Sequence, residues 1–163
     1  MTALARRGAL MACALLLAGC AHLNSGRQNA DLSAFWSGRL ALQVDGSAAQ
    51  SFSASFELKG SAESGELILF NPLGGTVARM QWQPGSATLH ANGEIRPFES
   101  LEALVAQATG APLPLAALFD WLRGSNTPVP GWQADLARLN DGRLIAVRSQ
   151  PEPTATLRLV LDK

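Results

Sequence analysis

Residues 36–58 of this 163-residue chain read WSGRLALQVDGSAAQSFSASFEL, and their pattern sets the fold class. Apolar side chains take every second position on both sides of Asp45-Gly46-Ser47, a sequence typical of turns. The alternating apolar positions are Leu40, Leu42 and Val44 before the turn, and Phe52, Ala54, Phe56 and Leu58 after it. A period of two predicts two antiparallel strands that share one apolar face.

The same alternation continues along the chain. Short runs follow at 66–70, 76–82, 87–91 and 94–96, and three more lie near the C-terminus at 132–136, 143–149 and 156–162. Turn-forming residues such as Asn92-Gly93 separate consecutive runs. Short connections between strands of this kind predict an antiparallel meander.

The middle of the chain changes to a helical period. Two apolar stripes carry it, formed by Leu101, Leu104, Val105 and Ala108 at 98–109, and by Leu115, Leu118, Phe119 and Leu122 after Pro114. Gly110 and Gly124 are suited to end the two helices.

A meander with one apolar face must cover that face, and the inserted helices are the natural cover. The predicted fold is mainly β with some α: an open antiparallel half-barrel, formed by a curved meander sheet and covered by two or three helices. Such a shape either packs solid or encloses an apolar cavity, and periodicity alone does not separate the two.

The first 19 residues have the composition of a bacterial lipoprotein signal. Arg6 and Arg7 precede an apolar stretch at 8–18 that is too short to span a bilayer. Small residues and then Cys20 follow, which is the order needed for lipid attachment to the thiol and cleavage before it. We expect a signal peptide at 1–19, a lipid-bearing Cys20 with a flexible tether at 20–34, and one domain at 35–163.

The composition argues against several kinds of chemistry. The formal net charge is +0, so the basic bias of nucleic-acid-binding proteins is missing. After cleavage the chain would keep two histidines, His22 and His90, and one cysteine, Cys20. No residue spacing suits a metal site, a phosphate-binding loop or a nucleophile elbow. We therefore expect no catalytic residue, no metal, no cofactor and no nucleic-acid partner.

One loop stands out by its chemistry. Asn71-Pro72 and Gly74-Gly75 are turn formers, and a single large apolar residue, Leu73, lies between them. Turn chemistry predicts that Leu73 is exposed. A lone exposed leucine is common on protein surfaces, and the turn could also fold back and bury it.

The chain resembles the LolB family of outer-membrane lipoprotein receptors. The resemblance rests on the lipid-attachment signal, the Asn71-Pro72-Leu73-Gly74 loop after an apolar strand, the Thr-Gly-x-Pro-Leu-Pro-Leu sequence at 109–115, the following helix with Trp121, and the β segment that starts at Trp132. The stretch at 124–132 is shorter than in better-known members, which leaves the strand count and the closure of the half-barrel open.

The resemblance implies a receptor anchored by lipid in the outer membrane and facing the periplasm. It would act as a monomer, take acylated lipoproteins from the periplasmic carrier LolA, and insert them into the inner leaflet of the outer membrane. The residue after the cysteine, Ala21 rather than Asp, also favours the outer membrane. The alternative is a periplasmic lipid- or hydrophobe-binding lipoprotein without protein cargo.

The resemblance also assigns site residues. The loop Asn71, Pro72, Leu73, Gly74 and Gly75 would be the membrane-insertion element, with Leu73 entering the leaflet. Strand parity then selects side chains for an acyl-chain cavity, although each of them is explained equally well as ordinary core: Phe52, Phe56, Leu69, Met80, Trp82, Leu118 and Trp121.

Overall fold

The computed structural model describes residues 34–45, 50–109 and 112–163. The predicted signal peptide, Cys20 and all but the last residue of the tether lie outside these residues. The turn residues Gly46 and Ser47 and the predicted helix end at Gly110 lie outside them as well.

Nine strands and two helices make up the described fold. In chain order they are β1 Phe35–Val44, β2 Gln50–Gly60, β3 Gly65–Phe70, β4 Thr76–Gln83, β5 Ser86–Ala91, β6 Glu94–Phe98, α1 Leu101–Thr109, α2 Leu115–Leu122, β7 Trp132–Asp135, β8 Arg143–Arg148 and β9 Ala155–Leu161. Neither described helix is long and apolar enough to cross a membrane.

The strands form one antiparallel sheet in the order β6-β5-β4-β3-β2-β1-β9-β8-β7. The strands before the helices make one meander and those after them make a second, and the pairing of β1 with β9 joins the two. Strands β6 and β7 are the free edges, so the sheet stays open. The predicted fold, an open antiparallel sheet with helices as a cover, is confirmed.

The helix predicted to start at Phe98 begins three residues later, at Leu101. Phe98 instead completes β6 opposite Ala87. Ser100 accounts for the boundary, because its hydroxyl accepts a hydrogen bond from the Ala103 amide at 3.2 Å. A side-chain acceptor at this position satisfies an amide that has no partner within the helix.

The apolar core lies between the sheet and the two helices. Helix α1 packs against β5 and β6. Phe119 of α2 lies with its ring centroid 5.8 Å from that of Trp36 and 6.3 Å from that of Trp82, so α2 is fixed to both β1 and β4. The helices therefore cover the face that the alternating pattern made apolar.

One buried charge was not anticipated from the sequence. Arg148, at the end of β8, is only 2% exposed. Its guanidinium donates to the Pro153 carbonyl from Nε and Nη2, at 3.2 and 2.7 Å, and to the Pro112 carbonyl from Nη1, at 3.3 Å. Arg148 thus ties the segment before α2 to the turn after β8.

The joint between β1 and β9 depends on Gly38. Its φ of 152° disfavours other residues, and an added Cβ would lie 2.0 Å from the Val160 carbonyl oxygen. A glycine is therefore needed where these two strands approach each other.

We expect Gly38→Ala to lower the free energy of unfolding by at least about 2 kcal/mol, because the backbone of β9 must move. Gly85→Ala is the matched control: its φ is also positive, at 75°, but no atom lies within 4 Å of the added Cβ. That variant should lose about 1 kcal/mol from strain alone. Urea unfolding followed by tryptophan fluorescence measures both, and equal losses would contradict the role given to Gly38.

Candidate functional site

A cavity opens between the sheet and the helices. Its narrow part has a volume of about 80 Å³ and an entirely apolar lining. The lining side chains come from β1 to β4, β9 and both helices with the segment between them: Leu40, Leu42, Phe52, Phe56, Leu58, Leu67, Leu69, Met80, Trp82, Leu101, Val105, Leu113, Leu115, Leu118, Leu157 and Leu159.

The wide part of the cavity measures about 560 Å³, within the range of pockets that hold small organic ligands. Leu42, Phe52, Leu69 and Met80 line both parts, so the two lie directly beside each other. Polar groups enter only in the wide part, where Ser51, Asn92 and Arg96 join the lining. The cavity therefore runs from a fully apolar inner end to a wide end with polar side chains.

Six of the seven side chains selected for the cavity line it. Phe52, Leu69 and Met80 line both parts, and Phe56, Trp82 and Leu118 line the narrow part. Leu42 lines the cavity as well, although it was not among the side chains selected from the sequence. It lies directly opposite Phe52 in the register of β1 and β2, on the same apolar face.

Trp121 is the exception, since it does not line either part of the cavity. It is 1% exposed, its indole N–H donates to the Thr127 carbonyl at 2.9 Å, and its ring lies 6.5 Å from that of Trp132. The indole N–H requires an acceptor when buried, and the loop after α2 supplies one. Trp121 is a core residue that fixes this loop and β7 to α2.

The loop between β3 and β4 presents Leu73 to solvent with 96% of its surface exposed. Asn71 organises the loop: its side-chain oxygen accepts hydrogen bonds from the amides of Leu73 and Gly75, both at 2.9 Å. Backbone bonds from Asn71 N to Gly75 O and from Gly74 N to Asn71 O, also at 2.9 Å, close the turn. The apolar tip is therefore held by a small, well-bonded loop.

This arrangement offers an apolar surface for binding. Attraction in an apolar cavity is non-directional and grows with the apolar area removed from water. Within the described part of the chain, no group of three or more His, Cys, Asp or Glu side chains is placed to hold a metal ion.

Comparison with known proteins identifies the family. The family model described as outer membrane lipoprotein LolB matches residues 35–156, which is most of the chain. The chain belongs to the LolB family. The match begins at the first strand and includes the β3–β4 loop, both helices and the start of β9.

Three relatives illustrate the membership, and each is named outer-membrane lipoprotein LolB. The protein of Bordetella petrii is 34% identical over 91% of this chain and 87% of its own length. That of Chromobacterium violaceum is 38% identical over 77% of this chain and 71% of its own. That of Bordetella pertussis is 33% identical over 91% of this chain and 87% of its own length.

LolB membership makes this protein an outer-membrane lipoprotein, as the resemblance implied. The family is one of lipoprotein localisation and not of enzymes. The match carries no residue-level roles, so those of Cys20, the loop and the cavity side chains stay predictions.

We expect Asn71→Ala to loosen the loop, because the amides of Leu73 and Gly75 lose their acceptor. Their hydrogen exchange, followed by NMR, should speed up about five-fold or more, since each hydrogen bond contributes about 1 kcal/mol. Asn71→Asp keeps an acceptor oxygen and should change exchange far less. Unchanged exchange in Asn71→Ala would show that the side chain does not hold the loop.

Proposed function

We propose that this protein accepts acylated lipoproteins from the periplasmic carrier LolA and inserts them into the inner leaflet of the outer membrane. One observation carries the proposal: a single small domain combines a cavity of about 560 Å³, largely lined by apolar side chains, with a leucine that is 96% exposed on a hydrogen-bonded loop. The cavity suits an acyl chain, and the loop suits the surface to which that chain is delivered.

The apolar lining explains how one site serves many cargo proteins. Each buried methylene of an acyl chain contributes about 0.8 kcal/mol, whatever protein the chain is attached to. The polar side chains Asn92 and Arg96 lie only in the wide part of the cavity. Recognition then depends on the lipid, which all cargo shares, and not on the folded cargo.

Transfer without an energy source requires that each acceptor bind the acyl chains more tightly than the donor from which it receives them. The cavity therefore has to hold them more tightly than the carrier and less tightly than the membrane. The open sheet fits this requirement, because a cavity with a wide, partly polar end does not enclose its ligand on all sides.

Leu73 cannot hold the protein on a membrane by itself. Burying one leucine side chain contributes about 1.5–3 kcal/mol, which gives a weak and reversible contact. We assign anchoring to the lipid expected on Cys20, since stable attachment needs more than one such signal. Leu73 instead enters the leaflet locally, at the place where cargo leaves the cavity.

Leu73→Glu should leave cargo binding unchanged and stop delivery, because a charged tip is excluded from the acyl region. A liposome assay that follows transfer of a lipoprotein from its carrier measures both steps. Ile95→Glu is the matched control: Ile95 is also an exposed apolar residue, at 64%, but lies on the edge strand β6. Normal delivery by Leu73→Glu would contradict the role of the loop.

Ala91→Trp should lower the affinity for a fluorescent fatty acid about ten-fold or more. Ala91 lines the wide part of the cavity, and an indole there takes the space of at least two methylenes of the ligand. Ala116→Trp adds the same group on the exposed side of α2 and should leave binding unchanged. Equal affinities for both variants would place the lipid elsewhere.

The receptor role is separated from plain lipid binding by cargo acceptance. The mature chain made without lipid, by replacing Cys20, should capture a lipoprotein from its carrier in a pull-down assay. Binding of free fatty acid without capture from the carrier would favour a lipid-binding lipoprotein that serves no protein cargo.

A further inference from the structure

A groove of about 310 Å³ lies on the face of the sheet that points away from the helices, directly beside the Leu73 loop. Its lining consists of Arg39, Ser53, Ala54, Ser55 and Pro72. The sheet register brings these residues together, because Arg39 of β1 lies opposite Ser55 of β2, and Ala41 lies opposite Ser53. Pro72, from the loop, closes the groove on one side.

Arg39 is an exposed cation without a carboxylate partner among the described residues. Two neighbouring carboxylates on this face have other contacts. Glu57 is 3.7 Å from Lys59, and Asp162 accepts a hydrogen bond from the Ser37 hydroxyl at 2.9 Å. The guanidinium therefore keeps its donors available for a ligand.

Arginines outnumber carboxylates around the groove, with Arg39, Arg143 and Arg158 against Glu57 and Asp162. Val160 of β9 lies between Arg39 of β1 and Arg143 of β8, and Arg158 lies beside Ala41. Glu57 follows Ser55 by two residues on the same face of β2, opposite Ser37, and its carboxylate lies 3.7 Å from the Lys59 ammonium. The groove thus joins one guanidinium and two serine hydroxyls, a donor set that binds phosphate groups.

The position of the groove relative to Leu73 suggests the source of the phosphate. Pro72 lines the groove, and the next residue is the exposed apolar tip. In a lipid leaflet the phosphate groups lie directly above the acyl region. A leucine that enters the acyl region would bring the groove beside it to the level of the headgroups.

We infer that this groove binds the phosphate of a membrane phospholipid while Leu73 is inserted. The inference rests on the proposed insertion of Leu73 and adds a second, polar contact to it. Arg39 pairs with the phosphate, and the Ser53 and Ser55 hydroxyls donate to its oxygens. The pairing orients the loop on the leaflet and lengthens each insertion.

The test uses the lipidated protein reconstituted into vesicles of two compositions. One contains phosphatidylethanolamine and phosphatidylglycerol, and the other contains a phosphate-free glycosyl diacylglycerol with the same acyl chains. Hydrogen–deuterium exchange of the peptide that covers residues 70–76 reports how long the loop stays in the membrane. We expect exchange about five-fold slower on the phospholipid vesicles, the effect of one arginine near an anionic surface.

Arg39→Gln should abolish the difference in exchange rate between the two vesicles, and Arg39→Lys should retain part of that difference. Arg143→Gln removes the same charge from the same face, two strands away, and should preserve the difference. Equal losses in Arg39→Gln and Arg143→Gln would overturn the inference in favour of a general attraction of the basic face. Inorganic phosphate added to the glycolipid vesicles should not slow exchange, and slowing would identify a site for a soluble anion instead.

Leu73→Glu separates this inference from the proposed function. If Leu73→Glu speeds hydrogen exchange on both vesicles while Arg39→Gln has no effect, the groove does not bind phosphate, and the insertion of the loop stands. If Leu73→Glu has no effect on either vesicle, loop insertion is wrong. If the exchange rates on the two vesicles still differ, and the difference still depends on Arg39, the groove binds phosphate without insertion of Leu73.

Discussion

The pairing of β1 with β9 is the constraint on which the rest of this structure depends. It joins the first strand of the domain to the last, over the register from Gly38 opposite Leu161 to Val44 opposite Ala155. Without it the two meanders would be separate sheets, and the narrow part of the cavity would lose the wall formed by Leu157 and Leu159. Gly38 makes the pairing feasible, because a side chain there would collide with the β9 backbone.

The joined sheet is filled unevenly. Under β7 and β8 the side chains of Trp121, Trp132 and Leu144 are buried, and Arg148 is hydrogen-bonded to carbonyls. Under β1 to β5 the two short helices leave a cavity lined by Leu42, Phe52 and their neighbours. The contacts of Trp121 and Arg148 hold α2 to β7, to the loop after α2 and to the segment before it.

The proposed activity divides two requirements between two faces of one sheet. The face under the helices offers apolar area for an acyl chain, while the opposite face carries Arg39 beside the loop with Leu73 at its tip. Strand alternation lets one strand serve both faces, since neighbouring residues of a strand point to opposite faces of the sheet. In β2 the side chains of Ser53 and Ser55 thus face the groove while Phe56 faces the cavity.

The amino-acid sequence predicted the strands, the two helices and the open antiparallel sheet through local periodicity and short turns such as Asn71-Pro72, and its motifs predicted the family. It also selected six of seven cavity side chains by parity. Contacts in the folded protein, and not the sequence pattern, place Trp121 in the core, bury Arg148 and bring Pro72 beside Arg39. The burial of Trp121 depends on the loop after α2 and on Trp132 of β7. The other two depend on segments far apart in the chain, such as Arg148 and Pro112, and no local pattern encodes where such segments meet.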